Sequence, residues 1–163
     1  MNIIPAIIQT ITTSGGVVLV DLHSGDCPLS ALLVDADKLP AWLTTGQQVL
    51  AVFKESELSI AVDLSGKISL RNRFPCIVRS INRGELLSLV ELSFGEHIIH
   101  SAITTRSVNA LELTTGTQVL ALIKANEISL IQLSTQNYQP KTINNKLSTI
   151  NSQLQTINPQ LKT

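Results

Sequence analysis

Leu43-Thr44-Thr45-Gly46-Gln47-Gln48-Val49-Leu50-Ala51 returns as Leu113-Thr114-Thr115-Gly116-Thr117-Gln118-Val119-Leu120-Ala121. The offset is 70 residues, and the match extends outward from this stretch without a gap. Asn2-Ile3-Ile4-Pro5 aligns with Asn72-Arg73-Phe74-Pro75, and Leu19-Val20-Asp21-Leu22 with Leu89-Val90-Glu91-Leu92. Gly25 falls on Gly95, and Lys54 and Glu57 fall on Lys124 and Glu127. Chance does not keep register over ~60 positions, so the chain carries two copies of one small domain. The first copy runs near 2–64 and the second near 72–134. The predicted domains are 1–64 and 69–134, joined through Ser65-Gly66-Lys67.

Each copy consists of short Val-, Ile- and Leu-rich runs broken by Gly, Ser and Asn turns, the pattern of several short strands. In the second copy the runs are Phe74–Ile81, Leu86–Ser93, His97–Ile103, Gln118–Lys124 and Glu127–Leu133. Val119-Leu120-Ala121-Leu122-Ile123 is almost wholly apolar, as a strand covered on both faces would be. Between the third and fourth runs, Thr104 or Thr105 is a helix cap, with Val108 and Leu111 at helical spacing after it. Gly116 is the expected C-terminal stop. Five strands with a short helix before the fourth describe an OB-like barrel. The predicted fold is all-β: two tandem OB-like small β-barrels, each with one short helix, followed by a low-complexity tail. A ~60-residue domain is marginal alone, so the copies are expected to pack on each other or on further subunits. The tail, 135–163, repeats a heptad with Ile143, Leu147, Ile150, Leu154, Ile157 and Leu161 at alternating spacings of 4 and 3. Thr and Asn are poor helix formers and Pro159 stops the last turn, so the tail reads as disordered or weakly helical.

Composition narrows the function. Of 163 residues, 44% are hydrophobic and 15% charged, which excludes a disordered chain. Lys and Arg number 12 and Asp and Glu 12, so the net charge is zero and bulk attraction to nucleic acid is excluded. Aromatics are 3%, too few for stacking on bases. No apolar run reaches the ~18–20 residues of a membrane span, and Met1 to Ile11 lacks the basic residue and cleavage site of a secretory signal. Cys27 and Cys76 have no metal spacing and read as small apolar residues in a reducing, cytoplasmic setting. His23, His97 and His100 read as ordinary strand residues, not as metal ligands or catalytic bases. Asp35 and Asp37 read as a helix cap in preference to a cation site. Ser14-Gly15-Gly16 belongs to a hairpin turn, not to a phosphate loop.

What is left suits an anion. Ser69-Leu70-Arg71-Asn72 opens the second copy, Thr104 and Ser107 stand at the helix start, and Lys124 ends the fourth run. A tetrahedral oxyanion offers only acceptors, so hydroxyl and N–H donors with one or two cations match it. Arg71 and Lys124 supply the two positive charges that neutralise a dianion. The same residues also have ordinary roles open to them, Thr104 as a cap and the two cations as surface charges.

The second copy resembles a Mop domain, the molybdate-binding kind of TOBE domain. The resemblance rests on Ser69-Leu70-Arg71-Asn72, Ile81-Asn82-Arg83-Gly84, Ile103-Thr104-Thr105-Arg106-Ser107, Leu111-Glu112-Leu113-Thr114-Thr115-Gly116 and Ala121-Leu122-Ile123-Lys124-Ala125. The first copy resembles the same domain more weakly, and the tandem is similar to di-domain molbindins and to the molybdate-binding half of molybdate-responsive regulators. The resemblance implies molybdate or tungstate as bound ligand, no organic cofactor, and sites between subunits. The implied ligands are Ser69, Arg71, Thr104, Ser107 and Lys124, joined by the backbone N–H groups of Leu70 and Ala125. In this family the Ser-x-Arg-Asn motif often comes from one subunit and the rest from another. Leu70 departs from the usual Ala.

The first copy departs further. Val34 stands at the position of Thr104, Asp37 at that of Ser107, and Met1-Asn2 is all that remains of the Ser-x-Arg-Asn motif. Val34 offers no donor, and Asp37 puts a like charge where the anion would bind. This copy is expected to be silent, with Asp37 paired to Lys54. The expected function is non-enzymatic oxyanion binding for storage, buffering or delivery, in a cytoplasmic homo-oligomer with a trimer favoured over a dimer. No direct nucleic-acid or membrane partner is expected. The alternatives are an assembly module that binds no anion and the sensing half of a transcription regulator.

Overall fold

The computed structural model describes residues 1–34 and 39–133. The expected tail, Asp35 and Asp37 with the proposed Asp37–Lys54 pair, and most of the first copy's helix position lie outside the described residues. No described helix is long and apolar enough to cross a membrane.

Among the described residues, ten strands form two five-stranded antiparallel sheets within one compact unit, Met1–Gln132. In the first repeat β1 is Asn2–Ser14, β2 Val17–Ser24, β3 Cys27–Val34, β4 Gln48–Phe53 and β5 Ser59–Ala61. In the second, β6 is Asn72–Arg83, β7 Leu87–Phe94, β8 His97–Thr104, β9 Gln118–Ile123 and β10 Ser129–Gln132. The helix α1 (Thr105–Ala110) precedes β9, and 3-10 turns at Glu55–Glu57 and Ala125–Glu127 follow β4 and β9. The all-β reading and the five strands per repeat hold. The three histidines sit in strands as expected, His23 in β2 and His97 and His100 in β8.

The repeat boundaries do not coincide with the sheets. The first sheet runs β10-β4-β1-β2-β3 and the second β5-β9-β6-β7-β8. Each repeat therefore gives its last strand to the other: Ser129 pairs with Val52 in β4, and Ser59 with Leu122 in β9. The exchange covers an edge on each sheet that would otherwise carry unpaired backbone groups.

The stretch shared by the repeats is a turn that locks a bulge. The register of β1 on β2 slips between Ile8 and Thr10, and that of β6 on β7 between Val78 and Ser80. At the first slip Gly46 N–H donates to the Ile8 carbonyl at 2.8 Å and Ile8 N–H to Gln47 at 3.0 Å. At the second, Gly116 and Thr117 make the same bonds to Val78, at 2.8 and 2.9 Å. Both glycines have positive φ, 82° and 93°, a conformation that a β-carbon disfavours. Gly116 is therefore the key of this turn and not the stop of the helix. The helix ends earlier, with Glu112 in the left-handed region at φ 51°.

Two asparagines bind the repeats together. Asn72 is fully buried; its Oδ1 accepts from Ser30 N–H at 2.7 Å and its Nδ2 donates to Ser30 C=O at 2.9 Å. Asn2 does the same to His100, at 2.7 and 2.8 Å. Each side chain imitates one rung of a ladder across the repeat interface, a role that Asn2 and Asn72 share at matching positions of the two repeats. Replacing Asn72 with Ala leaves a buried N–H and C=O on Ser30 unpaired. The expected loss is about 2–4 kcal/mol of stability, read by urea unfolding. A loss under ~0.5 kcal/mol, the scale of an ordinary surface substitution, contradicts the clamp.

Aromatic packing crosses the same interface. Phe53 stacks on Phe74 at 5.8 Å between ring centroids, and Phe94 meets Phe74 edge-on at 5.1 Å. Cys76 is buried on β6 and burial pushes its thiol up to about 12, so it is an inert core residue.

Candidate functional site

The seven residues proposed from sequence divide into two groups. Asn72 pairs with Ile123 in the β6–β9 ladder, so Arg71 and Lys124 stand opposite each other just beyond it. Ser69 and Leu70 lead into this point from the crossover loop, and Ala125 begins the 3-10 turn beyond Lys124. Arg71 and Lys124 are exposed and have no ion-pair partner among the described residues. Two cations at one strand end, neither in an ion pair, attract an anion.

Thr104 and Ser107 form the other group. Thr104 is the N-cap of α1: its Oγ1 accepts from Ser107 N–H at 3.1 Å and shares a 2.8 Å hydrogen bond with Ser107 Oγ. The cap expected at Thr104 or Thr105 is thus Thr104. Thr105 has a separate task, donating to Gly84 C=O at 2.8 Å and bonding Ser88 Oγ at 2.8 Å. Arg83 braces the helix from below, with 2.7 Å to Asn109 Oδ1 and 3.2 Å to Leu113 C=O. The hydroxyl pair is therefore held on a rigid seat, though the Ser107 backbone donor is already used.

The two groups lie at opposite ends of β6. Asn72 opens that strand, whereas Thr104 pairs with Leu87 at the start of β7, beside the end of β6 where Arg83 pairs with Ser88. No hydrogen bond or ion pair among the described residues joins them. The structure sets Lys124 beside Arg71, whereas the resemblance grouped it with Thr104 and Ser107.

At the matching end of the first repeat, Lys54 follows β4 and lines a cavity of about 250 Å³ with Glu57, Asn126, Glu127 and Ser129. Two carboxylates in that cavity repel a dianion. Val34 is exposed at the end of β3 and has no hydroxyl to offer. Among the described residues no group of three His, Cys, Asp or Glu side chains is arranged to hold a metal ion.

Arg73, Arg83, Ser88 and Thr105 support proposed site residues in ways the sequence does not show. Arg83 and Thr105 lie inside quoted motifs, but the Arg83 contact to Asn109 spans 26 residues.

The TOBE domain family model matches residues 68–130. The molybdenum transport protein ModE of Herbaspirillum seropedicae is 32% identical over 85 residues, which are 51% of this chain and 32% of that protein. The molybdenum import ATP-binding protein ModC of Brucella abortus is 41% identical over 70 residues, 42% of this chain and 20% of that one. The chain thus spans about a third and a fifth of the lengths of these two relatives. A solved structure of the cytoplasmic molybdate-binding protein ModG, with molybdate bound, superimposes with a TM-score of 0.77 at 26% identity. The match covers 81% of this chain and 96% of that one. Two registered repeats, their sheets and these matches together make the chain molbindin-like, with a match to the TOBE domain family over residues 68–130.

Proposed function

We propose that this chain binds molybdate or tungstate through hydrogen bonds and charge, without covalent chemistry. The observation that carries the reading is the pair Arg71 and Lys124, exposed, adjacent and in no ion pair among the described residues, at the strand end that Ser69 and Leu70 lead into. The likeness to a protein solved with molybdate bound supports it. Since Thr104 and Ser107 lie at the far end of β6, one chain alone does not surround the ion. A second chain supplies the hydroxyl pair, and the protein works as a homo-oligomer, a trimer by preference. The first repeat serves assembly, and the role is storage, buffering or delivery of the oxyanion in the cytoplasm.

The test is thermal unfolding with increasing molybdate, with sulfate as control. A ligand that binds only the native state raises the melting temperature, by an amount equivalent to about 2.7 kcal/mol at a concentration 100 times Kd. A rise with molybdate and none with sulfate is expected. An unmoved melting temperature with both anions supports the assembly-module alternative.

A further inference from the structure

We infer that Arg73 is a positioning residue that shapes the loop carrying Ser69, Leu70 and Arg71; the inference rests on the anion reading above. The crossover from β5 to β6, residues 62–71, contains no helix or strand. Outside the strand ladders, the hydrogen bonds that reach it among the described residues come from Arg73 alone. Its Nε donates to Leu70 C=O at 3.0 Å and a terminal nitrogen donates to Ile68 C=O at 3.1 Å. The planar guanidinium, with its donors in a fixed fork, bridges these two carbonyls at once.

The consequence follows from peptide geometry. In a trans peptide the C=O and the following N–H point to opposite sides. Holding the carbonyls of Ile68 and Leu70 toward Arg73 turns the N–H groups of Ser69 and Arg71 away from it. Two main-chain donors are thereby presented on one side of the loop, beside the Arg71 side chain. The resemblance implies the Leu70 N–H instead, and the staple favours its two neighbours.

The first repeat gives an internal comparison. Ile3 stands at the position of Arg73, and Met1 at that of Arg71. The two arginines occur in the same copy. The backbone of Arg73 is tied in as well: its carbonyl lies 3.5 Å from the Cys27 thiol of the other repeat.

The test compares the full chain with Arg73→Ala and Arg73→Lys by amide exchange of 68–71 without anion, molybdate titration calorimetry, and anion-free melting. Arg73→Ala is expected to speed exchange in the loop and weaken molybdate about 10-fold, the scale seen when an outer support is lost, while the anion-free melting temperature holds. Arg73→Lys keeps the charge but not the fork, and is expected to be as weak as Arg73→Ala. Unchanged loop exchange in Arg73→Ala overturns the staple whatever the anion does, and full affinity in Arg73→Lys shows that charge alone matters. A wild-type chain that takes up no molybdate refutes the anion reading separately.

Discussion

Lys124→Ala is expected to abolish molybdate binding at micromolar concentrations, with a rise in Kd of about 100-fold or more. The ion would lose a charge-assisted hydrogen bond and half of its positive counter-charge, and such bonds are worth about 1.5–3 kcal/mol before the charge imbalance is added. At ~1.4 kcal/mol per tenfold, that bond alone gives about 10- to 100-fold. Arg71→Ala removes the other cation across the strand end and is expected to behave alike. Both side chains are exposed and serve no internal ion pair among the described residues, so anion-free stability should hold. Lys54→Ala is the control: it occupies the matching place in the first repeat, beside Glu57 and Glu127, and should leave affinity unchanged. Calorimetric titration of the three variants reads the result. Equal losses from Lys54→Ala and Lys124→Ala would contradict the assignment of the site to the second repeat.

Phe74→Ala is expected to give the largest loss of stability. Its ring is fully buried between Phe53 of the first repeat and Phe94 of the second. Truncating such a ring removes its transfer energy and leaves a cavity at the joint of two small domains, at a cost of about 3–5 kcal/mol. For a unit of this size that corresponds to a fall in melting temperature on the order of 10–20 °C. Phe94→Ala removes an edge-on partner and should cost less. If Phe74→Ala unfolds only one repeat, with two resolved transitions in calorimetry, the exchanged strands do not couple the repeats as described. A single, lower transition is expected, since β5 and β10 tie each sheet to the other repeat's chain.

The repeat, the strand count and the helix were legible because each has a local signature. The positive φ of Gly46 and Gly116 is legible in the repeated Thr-Thr-Gly, but its use in a turn that locks a bulge is not. Gly15 and Gly16 announced the first hairpin for the same reason, and Ser14 pairs with Val17 across them. Thr104 announced its cap through the run that follows it. The exchange of β5 and β10 left no such mark, because an apolar strand reads alike whichever sheet receives it. Asn72 was legible as part of a motif but not as a clamp, since its partner Ser30 is 42 residues away. The mistaken stop at Gly116 has a physical origin too: Glu112 takes the left-handed position that the sequence reserves by habit for glycine.

The residue types of the site were visible, and their grouping was not. Arg71 and Lys124 come together because β6 and β9 are neighbours in one ladder, a fact of pairing and not of spacing. Thr104 and Ser107 stay apart from them because β6 is long and they sit at its other end. Arg73 escaped notice because its contacts are to carbonyls, which any sequence offers.

Native mass spectrometry of the full chain with molybdate, and with sulfate as control, tests the central claim most directly. The account predicts an oligomer, a trimer by preference, that retains about one molybdate per chain and no sulfate. A monomer that holds molybdate would contradict the need for a second chain, and an intact oligomer that holds none would contradict the anion site itself.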